Sequence, residues 1–277
     1  MASITDCVSE GLKYPFTDPK KLLSFGAIFA VLNIISLFIS TKSMDITRVF
    51  VREIERTNST ALSLNITQVP TNDIYIVIAL SIVSFIIALF VMGYLYDVIK
   101  FAIDKKEDLP GFNDIAKIFV NGIKMFLVTV AYYIIPFAVF VLGIVFGGDS
   151  PVLGVVILIS AILAIAAFFL QIMAVNNMVA NDSLKKAFDL KEITGNISNL
   201  GWGKYIGIII FTLIVFMVVN VAAGFILSFL TLLFARAFNQ AIVVAAFIGI
   251  LEGLFITSYT SVFYNRVCGS IYREAIK

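Results

Sequence analysis

The sequence predicts an all-α, polytopic membrane protein with six transmembrane helices, and three observations support this fold class. Of the 277 residues, 60% are apolar and only 14% are charged, whereas an average soluble protein carries about 25% charged residues. A soluble fold of this size could not bury so much apolar surface, so lipid must surround most of the chain. The few charges also leave six long runs, each close to the ~20 residues that a helix needs to cross the hydrocarbon core.

Charged residues set the limits of these runs along the chain. The predicted spans are, in order, 22–41, 74–96, 125–146, 152–178, 205–233 and 241–264. Helices are expected rather than barrel strands, because the runs are continuously apolar and a helix satisfies its own backbone hydrogen bonds in lipid. Pro136 lies inside the third span and is expected to kink it. The six spans are predicted to form a single transmembrane domain over residues 1–277.

The spans group into three hairpins, each preceded by a lead-in segment (14–20, 109–114 and 186–191) that contains phenylalanine and aspartate. The outer loop of the first hairpin, 42–73, is expected to begin as a helix or as a continuation of the first span. The lead-in segments are predicted to form amphipathic interfacial helices on the cytoplasmic side, apolar side toward the lipid. Phe112, Phe188 and Trp202 are the predicted interfacial anchors. Two interpretations stay open: a threefold internal repeat, or a common need for an amphipathic lead-in.

The distribution of basic residues predicts the orientation. With six spans, both termini lie on one side of the membrane, and that side holds 15 of the 20 Lys and Arg residues. Basic residues mark the cytoplasmic face, so both termini are predicted to be cytoplasmic and the protein to lie in the cell membrane. Glycosylation of Asn58 or Asn65 in the outer loop stays undecided, because the same sequon occurs at Asn181 and Asn196 on the predicted cytoplasmic side.

The composition excludes several classes of function. The chain has no histidine, which removes Ser-His-Asp catalysis and imidazole metal ligation, and its two cysteines are too few for a disulfide framework. No zinc-ligand spacing and no phosphate-binding loop are present, so no enzyme activity, cofactor or metal is predicted. A net charge of +2 gives no reason to expect a nucleic acid. The predicted partner is the lipid bilayer, while a homo-oligomer and an unknown membrane partner both stay open.

Glu252 is the main functional candidate. It lies halfway along the sixth span, where a charge costs about 2.5–3.5 kcal/mol on insertion scales. Asn33 and Asn220 are expected at a similar depth in the first and fifth spans, and an amide can donate to a carboxylate. Gly249 and Gly253 form a small-xxx-small pair that allows close packing against another helix. The three polar residues form either a midplane site for a solute or proton, or a structural network that fixes the helix register.

Several motifs together resemble domain-of-unknown-function family 4013, whose members are polytopic membrane proteins found mostly in archaea and in some bacteria. The motifs are Lys13-Tyr-Pro-Phe-Thr-Asp, Gly93-Tyr-Leu-Tyr-Asp-Val-Ile-Lys, Asp108-Leu-Pro-Gly-Phe-Asn-Asp, Phe119-Val-Asn-Gly-Ile-Lys and Ala187-Phe-Asp-Leu-Lys-Glu-Ile. The resemblance covers nearly the whole chain, apart from the tip of the outer loop. The family carries no established activity, so the resemblance implies a prokaryotic cytoplasmic membrane and transfers no catalytic residues.

Three functions are compatible with these residues. The first is a non-enzymatic membrane component that organises lipid or partner proteins through the lead-in segments. The second is a transporter of small solutes, ions or lipids that uses Glu252. The third is a membrane enzyme acting on lipid or polyprenyl substrates. The acidic residues available for such an enzyme have a simpler interpretation as solvated charges, and they are Asp97, Asp104, Glu107, Asp108 and Asp114.

Overall fold

The computed structural model describes residues 4–57, 71–147, 151–238 and 240–277. The described residues are helical almost throughout and contain no β-strand. Six helices among them are long and apolar enough to span a membrane: Pro19–Arg52, Thr71–Ile103, Ile115–Phe146, Val152–Asn181, Trp202–Ala237 and Ala241–Ala275. Each contains one predicted span, which confirms the all-α fold class and makes the chain a multi-pass membrane protein.

Nine α-helices, two 3₁₀ turns and one π-helical segment make up the described part of the chain. The α-helices are α1 Ile4–Lys13, α2 Pro19–Thr57, α3 Thr71–Ile103, α4 Ile115–Gly147, α5 Pro151–Asn181, α6 Leu190–Leu200, α7 Trp202–Ala237, α8 Ala241–Leu251 and α9 Ser258–Ala275. The 3₁₀ turns are Tyr14–Thr17 and Leu184–Phe188, and the π-helical segment is Glu252–Thr257.

Two ends of the predicted spans differ from the structure in an informative way. The outer loop does begin as a continuation of the first span, because α2 runs on to Thr57. The tip of that loop, with the Asn58 and Asn65 sequons, lies outside the described residues. The residues after Phe112 form the first turns of α4, which runs from Ile115 through the third span without a break. Helical spacing continues unchanged between an interfacial turn and a span, so it does not mark where one ends and the other begins.

Aspartate side chains start three helices in the described part of the chain. In each case the carboxylate accepts the backbone N–H three residues later, which satisfies one of the four free donors of the first turn. The pairs are Asp18 with Lys21 before α2 (3.1 Å), Asp114 with Lys117 before α4 (3.0 Å) and Asp189 with Glu192 before α6 (3.2 Å). All three caps belong to lead-in segments.

Two transmembrane helices end in a Schellman motif whose left-handed residue is not glycine. At the end of α3, Lys105 has a φ of 58°, and Lys106 N–H donates to the carbonyl of Phe101. At the end of α5, Asp182 has a φ of 46°, and Ser183 N–H donates to the carbonyl of Met178 in the same pattern. Glycine normally occupies this position because a side chain is strained there.

The contacts divide the chain into two compact units. The first unit comprises the described residues of Met1–Leu22, Leu89–Asn220 and Tyr259–Lys277, and the second comprises those of Leu23–Ala88 and Val221–Ser258. The first unit has a packed core that includes fully buried Tyr96, Met173, Ile193, Tyr205 and Phe263. Many large apolar side chains of the long helices are instead exposed, for example Ile82 and Phe225. Such faces are expected of helices that meet lipid.

Glycines bring helices together within each unit. In the first unit, an added Cβ at Gly93 would lie 1.7 Å from the carbonyl oxygen of Ile118, and one at Gly122 would lie 1.7 Å from that of Leu89. The backbones of α3 and α4 are therefore in direct contact.

The second unit uses the same device where α2 meets the sixth span. A Cβ at Gly26 would lie 2.4 Å from the carbonyl oxygen of Leu254, and one at Gly253 would lie 2.4 Å from the nitrogen of Ala30. The predicted close packing on the Gly253 side of the sixth span is confirmed, and its partner is α2.

Candidate functional site

Glu252 lies where the sixth span changes its helix type. It is the first residue of the π-helical segment Glu252–Thr257, and its side chain is exposed. A π-helical turn contains an extra residue and often occurs at functional sites. Sequence reasoning predicted the charge at this depth but could not predict the π-helical turn, because no residue pattern marks it.

Asn33 lies in the same unit as Glu252 and binds the backbone beside it. Its Nδ2 donates to the carbonyl oxygen of Gly249 at 2.8 Å. The backbone N–H of Glu252 also donates to that carbonyl, at the end of α8. Asn33 thus supplies a donor at the point where the helical hydrogen-bond pattern changes. Within the described residues, no hydrogen bond joins the Asn33 amide to the Glu252 carboxyl group.

Asn220 lies in the first unit, where its amide is used locally. Its Nδ2 donates to the carbonyl oxygen of Phe216, one turn earlier in α7, at 2.8 Å. The structure therefore brings Asn33 and Glu252 into one unit and assigns Asn220 to the other. A shared midplane site of all three residues stays a prediction.

The first unit contains a buried arginine cluster that sequence reasoning missed. Arg266, only 3% exposed, and Arg273 both pair with Glu10, at 2.7 and 2.6 Å. Arg266 also donates to the carbonyl of Lys106, and Arg273 to that of Ala102. A cation at a helix C-terminus is favourable because the last carbonyls lack helical donors. The cluster therefore joins α1 and α9 to the end of α3.

The environment of the arginine cluster also sets the ionisation of two groups from the N-terminal segment. Burial opposes the charged form of Glu10, but the hydrogen bond from Arg273 and the charges of both arginines outweigh it and lower the pKa of Glu10. Burial raises the pKa of Tyr14, whose ring lies 3.9 Å from the Arg266 guanidinium. Glu10 is therefore an anion and Tyr14 a neutral donor at neutral pH.

One signal in the sequence could have pointed to this cluster. Arg266 and Arg273 are the only two arginines among the 15 basic residues on the predicted cytoplasmic side. They are seven residues apart, which places them on one face of a helix. Arginine, with its rigid fork of donors, suits buried pairing better than lysine does.

The loop between α3 and α4 is held by side chains from other parts of the first unit. The hydroxyl of Tyr14 donates to the carbonyl of Asp108 at 2.6 Å, and Lys21 Nζ donates to that of Leu109 at 2.6 Å. The hydroxyl of Tyr94 donates to the carbonyl of Pro110 at 3.2 Å. Together with Arg266, these donors fix the loop through its backbone.

Each lead-in segment is bound by a tyrosine in the same way. The tyrosine hydroxyl donates to a backbone carbonyl of the segment or just before it, and its ring packs on the phenylalanine of that segment. The pairs are Tyr259 with Phe16 (ring centroids 5.2 Å apart), Tyr94 with Phe112 (4.8 Å) and Tyr132 with Phe188 (6.2 Å). The tyrosines come from the second, third and sixth spans, so the internal repeat stays a prediction.

The three predicted interfacial anchors differ in exposure. Phe188 and Trp202 are exposed, at 47% and 45%. Phe112 is half-buried because it stacks on Tyr94. An apolar groove of about 490 Å³ lies beside Phe188, between α4 and α5 at the level of Pro136.

A second cavity, of about 270 Å³, lies between the end of α3 and the start of α4. We name it the charged cleft, because six charged residues line it: Asp97, Lys100, Asp104, Lys106, Asp114 and Lys117. Within the described residues, no group of histidine, cysteine, aspartate and glutamate side chains could hold a metal ion.

Comparison with known proteins returns one family. A family model described as "Protein of unknown function (DUF4013)" matches residues 76–228. The match includes four of the five motifs in which the resemblance was seen. It also includes the crossing of Gly93 and Gly122 and the loop between α3 and α4. No curated protein and no solved structure matches the chain.

Proposed function

Since the chain belongs to the DUF4013 family of proteins of unknown function, we propose a function from its own residues: a non-enzymatic membrane component that organises lipid or partner proteins. The proposed working surface is the cytoplasmic face, formed by the lead-in segments, with both termini on that side. The uneven distribution of basic residues supports this orientation.

One observation carries the proposal: exposed apolar side chains stand beside exposed lysines where helices begin. Ile115 is 66% exposed and is followed by exposed Lys117, while exposed Leu190 is followed by exposed Lys191. Such pairs suit an interface in which apolar groups enter the lipid and ammonium groups meet phosphates. The aspartate caps and tyrosine contacts hold these positions rigidly, and the apolar groove at Pro136 offers room for an acyl chain.

Retention of anionic lipid tests the proposal. The protein is reconstituted into nanodiscs of phosphatidylethanolamine and phosphatidylglycerol, and the lipids that remain bound after extraction are counted by native mass spectrometry. The variant Lys185→Gln with Lys191→Gln is expected to lose bound phosphatidylglycerol several-fold. The control, Arg48→Gln with Arg52→Gln, removes the same charge from exposed positions of the second unit and should retain it. Equal retention in both variants would remove the lead-in lysines from the function.

A second candidate function, transport, is favoured by the π-helical turn at Glu252. An acidic side chain at mid-span is costly in lipid and commonly marks an ion or proton path. In proteoliposomes with a trapped pH-sensitive dye, a wild-type proton flux should fall to the protein-free level in Glu252→Gln, with folding unchanged. A flux that is unaltered in the variant, or no flux in the wild type, would reject this candidate.

A further inference from the structure

The charged cleft is built on two helix ends and the loop between them. Asp97 and Lys100 lie one turn apart on one face of α3, and Asp104 is the first residue after that helix. Asp114 and Lys117 belong to the start of α4. The sequence predicts that the second span ends at 96, so we expect the cleft at the depth of the lipid headgroups.

The lysines of the cleft form no short ion pairs in the described part of the chain. Within the described residues, Lys100, Lys106 and Lys117 form no ion pair within 4.0 Å, whereas nearby Lys21 pairs with both Asp18 and Asp108. Lys106 instead lies over the ring of Phe101, 4.4 Å from its centroid. Three ammonium groups thus surround one cavity without a carboxylate in contact.

The carboxylates of the cleft are positioned on its other parts. Asp97 is half-buried and accepts a hydrogen bond of 3.5 Å from Asn121, which is itself only 1% exposed. Asp104 is exposed, and Asp114 caps α4. A purely anionic ligand would meet three aspartates and a purely cationic one three lysines, so a group that carries both charges fits best.

We propose that the charged cleft binds a zwitterionic group that joins a primary amine to a phosphate, as in an ethanolamine phospholipid headgroup or a free ethanolamine phosphodiester. The phosphate meets the Lys117 ammonium group, while the backbone N–H at the start of α4 is already capped by Asp114. The amine meets Asp104. The loop is already held by Tyr14, Tyr94 and Arg266, so binding requires little ordering. The inference deepens the proposed lipid function and rests on it.

Binding to the soluble headgroup tests the ligand class. The purified protein is titrated, by isothermal calorimetry, with glycerophosphoethanolamine, with glycerol 3-phosphate and with ethanolamine. The first is expected to bind at least about tenfold more tightly than either of the others, because a charged hydrogen bond contributes at least that much. Equal affinity for glycerophosphoethanolamine and glycerol 3-phosphate would overturn the proposal.

Three variants assign the two charges. Lys117→Gln should weaken both glycerophosphoethanolamine and glycerol 3-phosphate, whereas Asp104→Asn should weaken only the amine-bearing ligand. Both side chains are exposed, so neither variant disturbs the core. Lys105→Gln is the control, because Lys105 is exposed next to the cleft but does not line it, and its affinities should equal those of the wild type. Unchanged binding in Lys117→Gln would overturn the proposal.

A lipid arm separates the two sources of the ligand. In nanodiscs, retention of phosphatidylethanolamine over phosphatidylcholine should fall in Asp104→Asn if the headgroup comes from a lipid. If only the soluble diester responds to these variants, the source is a free metabolite. If neither responds, the proposal is rejected. A loss of phosphatidylglycerol in the Lys185 and Lys191 variant with no effect in the cleft variants would retain the proposed function and reject this inference alone.

Discussion

Replacing Gly93 by alanine should separate α3 from α4. The added Cβ would lie 1.7 Å from the carbonyl oxygen of Ile118, and the next two atoms near it are also backbone atoms. No side chain can rotate away, so the helices must move apart until the contact reaches the ordinary 3.4 Å, which is a further 1.7 Å. Overpacking of this kind typically costs 1–3 kcal/mol, and the rigid backbone contact places Gly93→Ala at about 3 kcal/mol.

Unfolding in mixed micelles, followed by circular dichroism as the fraction of sodium dodecyl sulfate rises, measures this loss of stability. Gly224→Ala is the matched control: Gly224 is also helical, but a Cβ there would meet nothing within 4 Å. We expect no loss of stability there, and a gain of up to about 1 kcal/mol from the higher helix propensity of alanine. Gly93→Ala combined with Gly122→Ala should cost less than the sum of the single variants, because one separation relieves both contacts. A Gly93→Ala protein as stable as the Gly224→Ala control would refute the direct backbone contact.

Three further predictions follow from helix ends and charges. Lys105→Gly should raise the unfolding free energy by about 0.5–1 kcal/mol, since glycine adopts the left-handed conformation without strain. Asp182→Gly should not raise the unfolding free energy, because it also removes the carboxylate that Tyr96 and Lys124 bind. Asp189→Ala should cost about 1 kcal/mol in the same unfolding assay through loss of the α6 cap. The pKa of Glu10 is lowered in the folded state, so its ion pairs stabilise the fold fully above the ordinary value of 4.5. This stabilisation is lost as the pH falls through the folded value. Protection of α1 from protease should therefore decline over that pH range, and Glu10→Gln should remove the pH dependence.

The six helices could be predicted because the bilayer imposes one length on all of them. A span must be long enough to cross the hydrocarbon core, so the positions of the charged residues were sufficient to locate the spans, of which only the sixth contains a charge, Glu252. The helix ends were harder to predict, because a helix continues into water wherever caps and tertiary contacts support it. The extension of α2 to Thr57 and the early start of α4 at Ile115 are both of this kind.

For the candidate site, the sequence predicts a depth for each residue but not the neighbour that its side chain meets. Counting residues along a span gives the height of Glu252, Asn33 and Asn220, whereas the neighbour that each side chain meets depends on how the helices pack. Asn33 meets the carbonyl of Gly249, and Asn220 meets its own helix. The arginine cluster was not predicted for a different reason. A basic residue near a span is interpreted as a determinant of topology, so its role in a buried ion pair was not considered.

The contacts between the first and last helices also have a consequence for synthesis of the chain. The carbonyl of Leu12 accepts a hydrogen bond from Tyr259, which lies 247 positions later in the chain. Glu10 pairs with Arg273, which lies 263 positions later. At about 5–20 residues per second, a ribosome needs roughly 12 to 50 s to make that stretch. During this interval α1 lacks its contacts with α9, and Glu10 lacks its ion pairs with Arg266 and Arg273. The contacts of α1 are therefore completed only after α9 has been synthesised.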